Sequence, residues 1–108
     1  MRASYILNLM IELGSKNSFR EMGLTENEFW RSLAPVLNGL NYLIEDRTIT
    51  IKYCKGEIVI QLQTAFERKI ASLKLPVLPV EIHFSDLTQS EHKLFLERFD
   101  RCFQRGGG

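Results

Sequence analysis

The sequence predicts an α+β domain: N-terminal helices, an antiparallel sheet of three to four strands, and a C-terminal helix packed on one face of that sheet. Three observations carry this prediction. Apolar residues recur at helical spacing near both ends of the chain. Between Thr48 and Ser85 the period changes to two, and every strand candidate there alternates apolar with polar, as strands of an antiparallel sheet with one covered face do. With 108 residues, 44% of them hydrophobic, the chain has apolar mass for one core and is too short for two. A single domain over 1–108 is expected, helical over about 4–44, sheet over about 47–85, helical again over about 88–104, with a flexible tail at 105–108.

Residues 4–13 place Ile6, Leu9, Met10 and Leu13 on one helical face, and Gly14 stands where the helix should stop. Leu7 and Ile11 widen that face until only Ser4, Asn8, Glu12 and Ser15 stay polar. So apolar a helix needs cover on more than one side, either from its own domain or from a second chain, which makes Leu7 and Ile11 the candidates for self-association. Ser18-Phe-Arg-Glu21 and Thr25-Glu-Asn-Glu28 both fit the capping box, in which a hydroxyl accepts a backbone N–H and the Glu three residues on reaches back. The first predicts a short helix. The second, with Leu24 outside it and Phe29 at the fourth helical position, predicts a longer one carrying Phe29, Leu33, Val36, Leu37 and Leu40. Pro35 lies in that stripe, where its missing donor predicts a kink or break.

From Thr48 the pattern is that of a hairpin. With Lys55-Gly56 at its tip, Tyr53 pairs with Ile58, Ile51 with Ile60 and Ile49 with Leu62, all on the inner face, while Thr50, Lys52, Cys54, Glu57, Val59 and Gln61 look outward. Residues 64–75 fit a short helix or a third strand, and a strand near Lys69–Lys74 is preferred. Pro76 and Pro79 flank a turn or strand edge, after which Val80, Ile82 and Phe84 alternate with Glu81, His83 and Ser85 as a further strand. A third capping box, Thr88-Gln-Ser-Glu91, opens the last helix, whose Phe95, Leu96, Phe99, Cys102 and Phe103 share a face.

Fourteen basic against thirteen acidic side chains leave a net charge of +1, which dictates neither nucleic acid nor membrane as partner. The charge is uneven, −2 over residues 1–46 and +3 over 47–108. Two cysteines, Cys54 and Cys102, are too few for a disulfide framework and form no CxxC pair. Asn8 and Glu12 interrupt the first apolar run, so no signal peptide is expected, and no stretch approaches the roughly 18 apolar residues of a membrane span. These features predict a cytoplasmic protein with no membrane partner.

Catalytic groupings are hard to find. Cys54, beside Lys52 and Lys55, is the one nucleophile candidate, and neither His83 nor His92 is tied to it by sequence. The His and Cys positions 54, 83, 92 and 102 lack zinc-ligand spacing, and the only glycine cluster, Gly106–Gly108, precedes no helix, so neither metal nor cofactor is expected. The Arg-Gly-Gly-Gly end resembles the tails of ubiquitin-like and sulfur-carrier proteins, but those folds bring a strand to the tail, and here a helix leads into it. Three helices followed by a hairpin is similar in element order to a winged helix domain over about residues 4–62. That resemblance implies DNA binding, with Thr25–Leu40 as recognition helix and 48–62 as wing, yet the helix opens on Glu26 and Glu28, which repel phosphate. The basic candidates Lys52, Lys55, Arg68 and Lys69, with Lys74, define an alternative patch around the hairpin, without exposed aromatics to stack bases. The expectation is a non-enzymatic protein-interaction or assembly module, a homodimer in its simplest form, with weak nucleic-acid binding as the alternative.

Overall fold

The computed structural model describes residues 15–106, so the helix expected over 4–13, with Leu7 and Ile11, lies outside the described residues. In chain order the elements are β1 (Ser15–Met22), α1 (Glu26–Leu37), β2 (Asn41–Glu45), β3 (Thr48–Tyr53), β4 (Gly56–Leu62), β5 (Phe66–Ile70), β6 (Leu73–Ser85) and α2 (Gln89–Gly106). The class is α+β, but the antiparallel sheet has six strands, ordered β1-β6-β4-β3-β2, with β5 paired to the start of β6. Neither described helix is long and apolar enough to cross a membrane.

Both helices lie on one face of this sheet, and the core between them is built from alternate strand residues. Ile49, Ile51, Ile58, Ile60, Val80, Ile82 and Phe84 meet Phe29, Leu33 and Val36 of α1 and Phe95, Phe99 and Phe103 of α2, all of them buried. Each large apolar side chain removed from water stabilises by about 1.5–3 kcal/mol, so this layer is what fixes the fold. Phe29 touches Phe99 and Phe103, joining the helices, while Phe95 meets Tyr53 and Phe84, joining α2 to the sheet. Arginines fasten the periphery. Arg20 of β1 pairs with Asp100 and lies over the Phe99 ring, Arg47 bridges Glu26 and the Gln63 carbonyl, and Arg98 donates to the Asn38 carbonyl.

Several expectations are met by the local chemistry. Thr25 caps α1 through a full capping box, and Thr88 and Glu91 exchange the same two hydrogen bonds at the start of α2. The break that Pro35 made one of two expected outcomes is not found, since α1 continues through it and stops two residues later at Leu37. There the lost donor affects only the last turn.

Other expectations are corrected. Ser18–Glu21 is not a short helix but part of β1, whose Ser18, Arg20 and Met22 pair with Ile82, Val80 and Leu78. The open side of β6 offers a ladder of backbone partners that a four-residue capping signal cannot match. Asn41–Glu45, placed in the helical part by the sequence, is β2, an exposed edge strand. With β1 and β2 both strands, the winged helix order of three helices before a hairpin is not the order of the described residues. The β3–β4 register is two residues from the expected one: Ile51 faces Ile58, Ile49 faces Ile60, and Tyr53 faces Gly56, with Cys54-Lys55 at the tip. Inner and outer faces survive because the offset is even. Gly56 belongs to the strand for a steric reason, since a Cβ there would lie 2.2 Å from the Ser85 carbonyl oxygen. Lys69–Lys74 is not one strand but the tip of the β5–β6 hairpin, turning at Ala71-Ser72.

Pro76 and Pro79 lie within the 13-residue β6 instead of flanking it. Pro79 turns its carbonyl, and hence its donorless nitrogen, toward residues 63–65, where the ladder is interrupted between β4 and β5. By alternation Pro76 turns the other way, past the end of β1. Both prolines thus occupy the positions in a strand where no donor is needed.

Candidate functional site

Beyond β1 and β4 the sheet narrows to two strands, and β5 with the first half of β6 continues alone as an arm. A strand rises about 3.3 Å per residue, so the 13 residues of β6 span about 40 Å. In the arm Phe66 faces Val77, Arg68 faces Leu75 and Ile70 faces Leu73, so these six side chains share one face. The strand parity of β6 makes that the face turned away from the helices. Val77, at the base, is buried, whereas Phe66 is 44% exposed, Ile70 52%, Leu73 60% and Leu75 40%. On the reverse face Lys69 stands opposite Lys74 and Glu67 opposite Pro76.

Arg68 crosses the apolar face. Its guanidinium lies 5.8 Å from the Phe66 ring centroid and its Nη2 donates to Glu21 Oε1 of β1 at 3.2 Å, tying the arm's base to the body. Both groups of this pair are about half exposed, so the tie contributes at most about 1 kcal/mol. Phe19 of β1 extends the same outer surface and is 60% exposed. The result is an amphipathic ribbon: one row of large apolar side chains, one pair of lysines behind it.

The basic candidates divide between two ends. Lys52 and Lys55 sit at and beside the β3–β4 tip, next to the end of β6 at Ser85, whereas Arg68 and Lys69 lie on the arm, paired with its beginning. Along β6 that separation is roughly 35 Å. They form no single patch, and Arg68 is already engaged.

Cys54 occupies the β3–β4 tip in a left-handed conformation, φ 54°. Loss of hydration and a hydrogen bond to the Glu91 carboxylate hold its thiol above the ordinary range, which disfavours thiolate. Glu91 itself is held below the usual glutamate range, chiefly by the Thr88 backbone N–H, although desolvation opposes this. A carboxylate beside a thiol suppresses nucleophilicity. Cys102 is half-buried against the core.

His83 lies on the outer sheet face with Nδ1 2.9 Å from Asn17 Oδ1 and Nε2 3.0 Å from Glu81 Oε1, so both ring nitrogens are engaged. His92, in the first turn of α2, is stacked on Phe84 with ring centroids 4.5 Å apart. Beside it, between β1 and α2, runs a groove of about 670 Å³ whose charged groups include the paired Arg20 and Asp100. Among the described residues no group of three or more His, Cys, Asp and Glu side chains is arranged to hold a metal ion.

The sequence reasoning missed the arm. The signal was present, since Phe66, Arg68, Ile70 and then Leu73, Leu75, Val77 repeat at period two on either side of Ala71-Ser72. What hid it was a tip without Gly or Asn, the residues that announce a tight hairpin, and two prolines in the returning strand. Comparison with family models, with curated proteins and with solved structures gave no match.

Proposed function

We propose that this protein is a non-enzymatic interaction module and that the β5–β6 arm is the element by which it engages a protein partner. One observation supports this: Phe66, Ile70, Leu73 and Leu75 line one face of a two-stranded ribbon, and each stays 40–60% exposed. A two-stranded ribbon has no layer of its own to bury such a row, and contiguous exposed apolar surface on a small protein marks an interaction site or an aggregation liability. The lysine pair behind the row is repulsive in the free arm and suits a partner with acidic groups on its rim.

Magnitudes limit the reading. Side chains about half exposed have about 1 kcal/mol each to gain from complete burial, so four give about 4 kcal/mol. That only matches the lower estimates of the cost of association. A partner must therefore enclose the arm, covering the lysine face as well, as a cleft would and a flat surface would not.

Site-specific photocrosslinking in the source cells tests this, with the photoreactive residue at Leu73 on the arm or at Lys93 on α2. The proposal expects one defined protein adduct from position 73, absent from position 93 and lost when Leu75→Asp is added. Equal labelling from both positions, or adducts indifferent to Leu75→Asp, would contradict it. Nucleic acid in the adduct, released by nuclease, would favour the alternative reading through Arg68 and Lys69.

A further inference from the structure

The sheet has a second unprotected feature, the edge strand β2. Exposed edge strands usually carry central charges, a proline or a bulge that discourage pairing with another chain. The edge strand β1 carries Arg20 and Glu21, and β5 carries Glu67, Arg68 and Lys69 in succession. In contrast, β2 has Tyr42, Leu43 and Ile44 at its centre, with exposures of 50%, 58% and 42%, and no described strand pairs with its outer side.

We infer that β2 pairs antiparallel with β2 of a second copy, about a two-fold axis through Leu43, to make one continuous sheet. The occupant follows from self-complementarity. Only an antiparallel register whose paired residue numbers sum to an even value keeps the helices of both copies on the same side, because an odd sum would set an inner residue against an outer one. The register centred on Leu43 is the even one that uses all five residues: Leu43 faces its own copy, Tyr42 faces Ile44, and Asn41 faces Glu45. Tyr42 and Ile44, which share a face with the buried Ile51 and Ile49, then form a cross-strand aromatic and β-branched pair twice over.

Charge complements the same register. Asn41 is the β2 neighbour of Lys52. A copy's Glu45 opposite Asn41 therefore lies two strand spacings from Lys52 on the same face, about 10 Å between backbones and within reach of the two side chains. The two-fold axis repeats the contact. A five-residue edge buries less area than a standard stable interface, so the dimer should dissociate in the micromolar range. This pairing uses none of the arm and stands or falls without it.

Cysteine placement reads the register directly. In a Cys54→Ser, Cys102→Ala background, shown to be folded by circular dichroism, Leu43→Cys is oxidised with glutathione disulfide at about 50 μM protein. Residues opposite each other in an antiparallel pair lie about 4.5–5.5 Å apart at Cα, within disulfide range, whereas Glu45 and its symmetry copy are offset by four residues. The inference expects Leu43→Cys to form covalent dimer at least tenfold faster than Glu45→Cys. Equal rates, or no dimer from either, would overturn it. Sedimentation velocity of Glu45→Lys, Lys52→Glu and the double exchange is a second readout that needs no oxidant. Each single change should weaken the dimer and the double exchange should restore it, while single variants that dimerise as the parent does, or a parent monomeric up to 500 μM, would contradict the pairing.

Discussion

Gly56 offers the sharpest test of the way β4 enters the sheet. A Cβ at this position would lie 2.2 Å from the Ser85 carbonyl oxygen and 2.5 Å from that of Asp86. Both are backbone atoms at the end of β6, so no side-chain rotation can relieve the overlap. Since Cβ atoms essentially never approach a heavy atom within 3.0 Å, Gly56→Ala demands a displacement of about 0.8 Å between β4 and the Ser85–Asp86 corner. A shift of that size carries a hydrogen bond of about 2.9 Å beyond bonding distance. Losing one or two ladder bonds at about 1 kcal/mol each, with strain in the adjoining turn, gives about 2–3 kcal/mol of destabilisation. Urea denaturation followed by circular dichroism would register this as a midpoint lower by roughly 2 M, taking a slope of about 1.2 kcal/mol/M for a small domain. Gly39→Ala is the control. Gly39 has φ +80° and open space around its would-be Cβ, so only backbone strain of about 1 kcal/mol applies. A Gly56→Ala midpoint equal to the parent's, or a loss smaller than that of Gly39→Ala, would refute the close approach.

Three further outcomes are expected. Thr25→Ala removes the α1 cap and should cost about 1 kcal/mol by the same denaturation, whereas Ser18→Ala, in the corresponding sequence pattern but within β1, should change stability by less than about half of that. Cys54 should react with iodoacetamide near neutral pH more slowly than a free thiol, and Glu91→Gln should accelerate it by removing the neighbouring carboxylate. Glu91, held low by the Thr88 N–H, stabilises the fold above the ordinary glutamate pKa and loses that contribution as pH falls through its folded value, so its side-chain carboxyl resonance should titrate at lower pH than that of a free glutamate, whereas Thr88→Ala, which keeps that N–H, should leave most of the depression in place.

What the sequence made legible was set by how local the deciding interactions are. Thr25 with Glu28 and Thr88 with Glu91 close their hydrogen bonds within four residues, and both helix starts were read correctly. The inner row Ile49, Ile51, Ile58, Ile60 was legible as a face but not as a register: Gly56, a turn residue by its local pattern, lies in the strand against the Ser85 carbonyl, some thirty residues away. Ser18–Glu21 satisfies a local helix signal and is nevertheless a strand, because the open side of β6 supplies its partners. In β2 the run Tyr42-Leu43-Ile44 has no alternation to read, since an edge strand need not bury either face. The arm was obscured for the opposite reason: its alternation is regular, but Ala71 takes φ 55° at the tip without being glycine, and Pro76 and Pro79 occupy positions of β6 where no donor is needed. The basic candidates illustrate the limit for sites. Lys52 and Lys69 are 17 residues apart in sequence but attach to opposite ends of the longest strand, a separation only the topology reveals.

The account rests most heavily on an arm that is folded yet uncovered on its apolar face. Methyl-labelled protein at low micromolar concentration, titrated with a soluble paramagnetic agent, measures this directly. Methyls of Ile70, Leu73 and Leu75 should relax strongly, those of Leu78, Val80 and Ile82 should hardly respond, and Ile70–Leu73 and Arg68–Leu75 cross-strand contacts should persist throughout. Arm methyls shielded as well as the core ones, or cross-strand contacts absent while the arm methyls relax, would contradict it.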